Sequence, residues 1–322
     1  MPEESPTPGG VPANGGAPTD GGGPVDGVVV GAAAEAAAAR AVTGSPDGAV
    51  EEMPDETRLT GVRNFRDLGG LPTADGTGRV RHGRLFRSGH LAAATAEDVA
   101  VLDGLGLRLI LDLRHHVDIS LDGPDVPLRG VRHLNMPLSD PASGAEFWAI
   151  VQSGRLDELR RALGDGRAEH RMRDSYRRIV TERTAEHGRM LRLLAEPDGV
   201  PALIHCTAGK DRAGWSAAVV LLALGVRWDA IERDYLASSA AHRLYRFRRA
   251  DGSVPDPDSE IATLVAPLFD ARLSYLHAAV DEVRRNWGSE ERYLTEGLGC
   301  GPDMRERLRE TLLTTVDGGA PA

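Results

Sequence analysis

Apolar residues gather in four short runs, at 85–86, 107–113, 131–136 and 200–206. Consecutive apolar positions over strand length suit strands covered on both faces. Elsewhere the spacing turns helical, over 95–106, 155–163, 171–194, 213–224, 229–238, 271–286 and 303–315. Thr95 with Asp98 three positions on has the form of a helix start, and Gly106 that of a stop. The stretch 213–224 is almost wholly apolar and closes on Gly225, the pattern of a buried helix. Strands alternating with helices predict an α/β fold, a mainly parallel central sheet flanked by helices. Ligands of such sheets bind beyond the carboxyl ends of strands, and the run 200–206 ends on Cys206.

Composition divides the 322 residues unevenly. Residues 1–55 are rich in Gly, Pro and Ala, lack aromatic residues, and cannot bury enough surface to order themselves. They are expected to be a disordered tail, as are 318–322, leaving one domain over 56–317. The apolar stretch 28–42 carries Glu35 and Arg40, is too short to span a bilayer, and has no basic segment before it. It suits a transient alanine-rich helix, and no transmembrane segment is expected. A net charge of −10 argues against nucleic acid as a partner. Two cysteines, Cys206 and Cys300, suit a reducing compartment better than a disulfide framework. Ten histidines form no HExxH pattern and there is no Cys-x2-Cys, so neither a metal nor a cofactor is expected.

The chemistry concentrates in Leu203-Ile204-His205-Cys206-Thr207-Ala208-Gly209-Lys210-Asp211-Arg212-Ala213-Gly214. Strand, tight loop and helix start bring backbone N–H groups together on an anion. The positive ends of those amides favour a thiolate at Cys206. Arg212, six positions on, offers a planar fork that grips two oxygens of a tetrahedral anion. Together they suit displacement of a phosphoryl group onto sulfur. Thr207, Ala208, Gly209, Lys210, Ala213 and Gly214 are the expected phosphate-binding positions. Lys210 is the only lysine among 38 basic residues, and a compact ammonium acts differently from a guanidinium. A nucleotide P-loop is excluded, because Ile204 stands where its first glycine is required and Asp211 follows the lysine.

The loop resembles that of the bacterial tyrosine-protein phosphatases, a family with mycobacterial members whose loop reads His-Cys-x-Ala-Gly-Lys-Asp-Arg-Thr-Gly. The likeness extends to Asn64-Phe65-Arg66-Asp67, Arg84-Leu85-Phe86-Arg87-Ser88, Asp112-Leu113-Arg114, Asp234-Tyr235-Leu236 and Tyr293-Leu294, in order over about 57–316. The resemblance implies a cysteine-phosphatase fold with a helical lid near 238–273. It implies hydrolysis of phosphotyrosine in proteins, with phosphoserine, phosphothreonine or phosphoinositides as further substrates. Cys206 would be the nucleophile, Arg212 the phosphate holder and Asp211 the general acid, in a cytoplasmic or exported monomer.

Asp174 and Asp140 are rival acids, and Asp211 could instead shape the loop by pairing with Lys210 or Arg66. Ala213 departs from the family's Thr or Ser; losing that hydroxyl should slow hydrolysis of a phosphocysteine. A non-catalytic phosphate-binding protein is therefore the alternative, with a sulfurtransferase more remote. His205 is expected to fix the loop through a backbone hydrogen bond. His115 and His116 stand near the pocket mouth or on an ordinary loop. Tyr245-Arg246-Phe247-Arg248-Arg249 could meet an anionic substrate or form a solvated helix face.

Overall fold

The computed structural model describes residues 59–138, 145–240, 243 and 248–315. The tail 1–55, its alanine-rich stretch, Asp140, residues 245–247 and 318–322 lie outside the described residues. In chain order the elements begin with β1 (Arg66–Asp67), β2 (Gly78–Val80), β3 (Leu85–Ser88), α1 (Ala96–Gly104), β4 (Leu109–Asp112), α2 (His116–Asp122) and β5 (Arg132–Asn135). There follow α3 (Ala145–Ser153), α4 (Leu156–Leu163), α5 (Arg167–Glu182), α6 (Thr184–Leu194), β6 (Ala202–His205) and α7 (Arg212–Ala223). The chain closes with α8 (Trp228–Leu236), α9 (Glu260–Phe269), α10 (Leu273–Trp287), α11 (Glu290–Arg292), α12 (Pro302–Leu312) and β7 (Leu313–Thr315).

Five strands form one sheet in the order β1-β3-β6-β4-β5. β3, β6, β4 and β5 run parallel, and β1 is antiparallel at the edge. β6 is central, with Ala202 in register with Leu85 on one side and Leu109 on the other. Side chains alternate between two apolar layers, as the two-residue period of a strand requires. Leu85, Leu109, Leu111, Ala202 and Ile204 enter the larger core with Val220 of α7 and Leu276 of α10. Phe86, Ile110 and Leu203 enter a second core with Leu91, Leu102 and Leu128. Both faces being apolar is why 109–111 of β4 and 202–204 of β6 stand out as unbroken runs. Truncating fully buried Leu203 to alanine would cost about 2–5 kcal/mol.

Thr95 caps α1 through a reciprocal capping box with Asp98, as its sequence predicts. The expected helix 171–194 is two helices, α5 and α6, broken at Arg183 where φ is −123° and ψ 28°. The expected helix 303–315 ends at Leu312, and Leu313–Thr315 pairs antiparallel with β2. In the segment expected as a lid, α9 packs on α4 and α5 through Leu159, Leu163, Ala168, Val265 and Leu268. Ser239 Oγ accepts from Ala271 N at 3.2 Å and donates to Ala271 O at 3.3 Å, so the segment leaves and re-enters at one point. No helix among the described residues is long and apolar enough to cross a membrane.

Candidate active site

The loop from Cys206 to Asp211 leaves the carboxyl end of central β6 and runs into the amino terminus of α7. Gly209 makes its bend with φ +67°, and a Cβ there would lie 2.3 Å from the Ser88 carbonyl carbon. Neither the backbone conformation nor the space admits a side chain.

The carbonyls of Thr207 through Asp211 are all tied to the protein around them. Thr207 O accepts from His90 N at 3.1 Å, and Asp211 O from Trp215 N at 2.9 Å. Ala208 O accepts from Asn64 Nδ2 at 3.1 Å. Arg87 Nη2 donates to Gly209 O at 2.7 Å and to Lys210 O at 3.1 Å. Among the described residues no acceptor meets the backbone N–H groups of Thr207 through Asp211. Carbonyls held outward leave a run of amides beside Cys206, the arrangement that binds a tetrahedral anion at a helix amino terminus.

Cys206 is 2% exposed. Arg212, first residue of α7, donates from Nη2 to Thr207 Oγ1 at 3.1 Å and from Nη1 to Asp118 Oδ2 at 2.5 Å. Burial opposes its charge, but the Cys206 sulfur and then Asp118 outweigh it and hold the guanidinium's pKa above its ordinary value. Asp118 sits in the first turn of α2, where it also accepts from His115 N at 2.9 Å. Burial would raise its pKa, but Arg212 wins and holds the carboxyl below the usual range. Beside Thr207, burial pushes the Asp122 carboxyl up and the His90 imidazole down.

Lys210 is 4% exposed, and its ammonium lies at the end of α9. Nζ donates to Leu268 O at 3.1 Å and Asp270 O at 2.8 Å, and stands 3.1 Å from Asp211 Oδ1. The ammonium is thus tied to two backbone carbonyls and paired in charge with Asp211, and its contribution to the amide run is its backbone N–H. Tyr176 OH donates to Asp211 Oδ1 at 2.8 Å. Ala213 and Gly214 lie fully inside α7, where a Cβ on Gly214 would meet Arg87 Nη2 at 2.9 Å.

Behind the loop, Asp234 of α8 joins two buried arginines. It accepts from Arg66 Nε at 2.6 Å and from Arg87 Nη1 at 2.5 Å. Arg66 therefore pairs with Asp234 and not with Asp211. His205 lies among carboxylates where a backbone carbonyl was expected: Nε2 is 2.9 Å from Asp125 Oδ2, and Nδ1 3.8 Å from Asp112 Oδ1. Asp112, Asp125 and His205 have ligand atoms within 4.8 Å of one another. The cation among those carboxylates is Arg114, donating to Asp112 Oδ1 at 3.0 Å and Asp125 Oδ1 at 2.9 Å.

The structure thus brings Cys206, Asp211 and Arg212 together on one loop. Asp174 is instead on α5, engaged by His170 at 2.9 Å and Arg177 at 2.7 Å. His115 caps α2, with its ring 3.9 Å from that of His116. Sequence reasoning missed Asp118, Tyr176 and the clamp of Arg66, Arg87 and Asp234. Arg66, Arg87 and Asp234 stand inside recognised motifs, but nothing local shows that they meet.

A family model for the tyrosine phosphatase family matches residues 57–314. The chain is 33% identical over 251 residues to a Cupriavidus necator protein named a tyrosine-protein phosphatase, covering 74% of this chain and 82% of the relative. It is 32% identical over 289 residues to the triple specificity protein phosphatase PtpB of Mycobacterium tuberculosis, covering 82% of this chain and 99% of the relative. A crystal structure of TpbA from P. aeruginosa aligns at 17% identity and a TM-score of 0.26, over 66% of this chain and 97% of that one.

Proposed function

The chain belongs to the tyrosine phosphatase family, and we propose that it hydrolyses phosphate monoesters through a phosphocysteine on Cys206. The sulfur attacks phosphorus while the bond to the leaving oxygen breaks, and Asp211 gives that oxygen its proton. Water then displaces sulfur, returns a proton to Asp211 and releases inorganic phosphate. The amides of Thr207 through Asp211 and the Arg212 guanidinium hold the equatorial oxygens, where charge accumulates in the transition state. Asp118 keeps that guanidinium in place through Nη1.

The observation that carries this reading is the loop with its carbonyls bonded outward and its amides gathered beside Cys206. Phosphotyrosine in proteins is the proposed substrate, with phosphoinositides as a second class; a relative named a triple specificity protein phosphatase supports a range of substrates. The catalytic domain in this reading is 56–317. Cys206 and Cys300 are both free thiols, which suits a reducing cytoplasm. Steady hydrolysis of para-nitrophenyl phosphate that vanishes in Cys206→Ser is the expected result; turnover surviving that change would end the proposal. Phosphotyrosine peptides assayed beside phosphoinositides decide the substrate class.

A further inference from the structure

We propose that Tyr176 is a positioning residue for Asp211, fixing which carboxylate oxygen carries the transferable proton; this rests on the acid role given to Asp211 above. Tyr176 comes from α5, remote in sequence from the loop, and is 2% exposed. Its hydroxyl donates to Asp211 Oδ1 at 2.8 Å and lies 2.7 Å from Tyr235 OH. A phenol has one proton. With that proton committed to Asp211, Tyr235 must be the donor in the pair of hydroxyls.

The ammonium of Lys210 reaches the same oxygen, 3.1 Å from Oδ1, and is itself anchored by the Leu268 and Asp270 carbonyls. A hydroxyl donor and a cation therefore converge on Oδ1, and no hydrogen bond is seen on Oδ2 among the described residues. A proton on Oδ1 would face that cation and compete with the phenol's proton, so the proton belongs on Oδ2. Burial, then the charge of Asp211, raises the pKa of both phenols, so both remain protonated donors at neutral pH. Arg212 on α7 and Tyr275 on α10 complete the charged and titratable surroundings of Asp211.

As the S–P bond forms and the P–O bond breaks, Oδ2 passes its proton to the leaving oxygen. The carboxylate left behind keeps Tyr176 and Lys210 on Oδ1, so Oδ2 is the oxygen ready to accept a proton from the attacking water. A carboxyl without the tyrosine could rotate and present either oxygen, and proton transfer depends on that geometry.

Tyr176→Phe removes only the hydroxyl and keeps the ring, whose centroid lies 6.2 Å from that of Tyr235 and 6.0 Å from that of Tyr275. On phenyl phosphate, a poor leaving group, kcat/KM, which reads formation of the phosphocysteine, should fall about tenfold, a part of the roughly 10²–10⁴ that a general acid supplies. On 2,4-dinitrophenyl phosphate, whose leaving group needs no proton, kcat/KM should change less than about twofold, which also reports that the variant is folded. In an Asp211→Ala background Tyr176→Phe should add nothing on either substrate. Equal losses on both substrates, or no loss on either, would overturn the positioning role. If Asp211→Ala itself shows no dependence on the leaving group, the acid assignment fails first and independently.

Discussion

Replacing Asp234 by asparagine should unseat the catalytic loop without touching it. The Asp234 carboxylate stands between Arg66 Nε at 2.6 Å and Arg87 Nη1 at 2.5 Å, with both guanidinium groups buried. Arg66 is already drawn down to about 10 by burial and then by the charge of Arg87, with Asp234 the main influence in the other direction. Asparagine keeps the shape but leaves two buried cations facing each other, one of them opposite an NH₂ donor. Breaking a buried pair in this way costs about 3–5 kcal/mol. For a domain of this size each kcal/mol corresponds to roughly 2–4 °C, so Tm should fall by about 6–20 °C.

A second consequence follows from Arg87, whose other nitrogen holds the Gly209 and Lys210 carbonyls outward. Once Arg87 shifts, those carbonyls are free to turn, and the amides lose their common direction. Removing one preorganised donor costs roughly 10²–10³ in kcat, so kcat/KM should fall by at least about a hundredfold. Urea unfolding followed by circular dichroism measures the first effect. Para-nitrophenyl phosphate kinetics well below the midpoint measure the second. A loss under about 1 kcal/mol with unchanged kcat/KM would refute the clamp.

Two further outcomes are expected. Ala213→Thr restores a hydroxyl at the start of α7, where Ala213 is fully buried, and should speed breakdown of the intermediate several-fold. The pre-steady-state burst of the parent protein should shrink accordingly, and an unchanged burst and rate would exclude a slow second step. His187 is buried between Arg183 O at 2.8 Å and Ser216 Oγ at 3.2 Å, and burial lowers its pKa to about 4. The unfolded chain, with histidine near 6.5, then binds the proton first, so stability falls as pH drops from about 6.5 to about 4, by roughly 3 kcal/mol. Urea unfolding at several pH values should show that slope and its loss in His187→Gln; equal slopes in both proteins would refute the assignment.

β4 and β6 were legible because both their faces are apolar, so 109–111 and 202–204 appear as unbroken runs rather than alternations, whereas β5 is mostly exposed. β1, β2 and β7 escaped notice because two or three residues carry no pattern. The seven residues of α2 include none that is buried, so no apolar stripe marks the helix that supplies Asp118. The break between α5 and α6 falls at an arginine, with neither glycine nor proline to signal it. Within the site, Cys206, Asp211 and Arg212 could be read together because one loop carries all three. Tyr176 and Asp211, or Arg66 and Asp234, meet only through the fold. Lys210 shows the limit of reading a single residue: its isolation in the composition suggested a ligand for phosphate, yet its ammonium ties the loop to the end of α9.

The central claim is that sulfur carries the phosphoryl group. Rapid quenching of the protein with a phosphotyrosine peptide at acid pH, followed by mass spectrometry of the Cys206 peptide, tests it most directly. Phosphate should be found on Cys206, forming no more slowly than turnover and absent in Cys206→Ser. Phosphate on His205 or Asp211, or turnover with no phosphorylated enzyme at any time, would contradict the account.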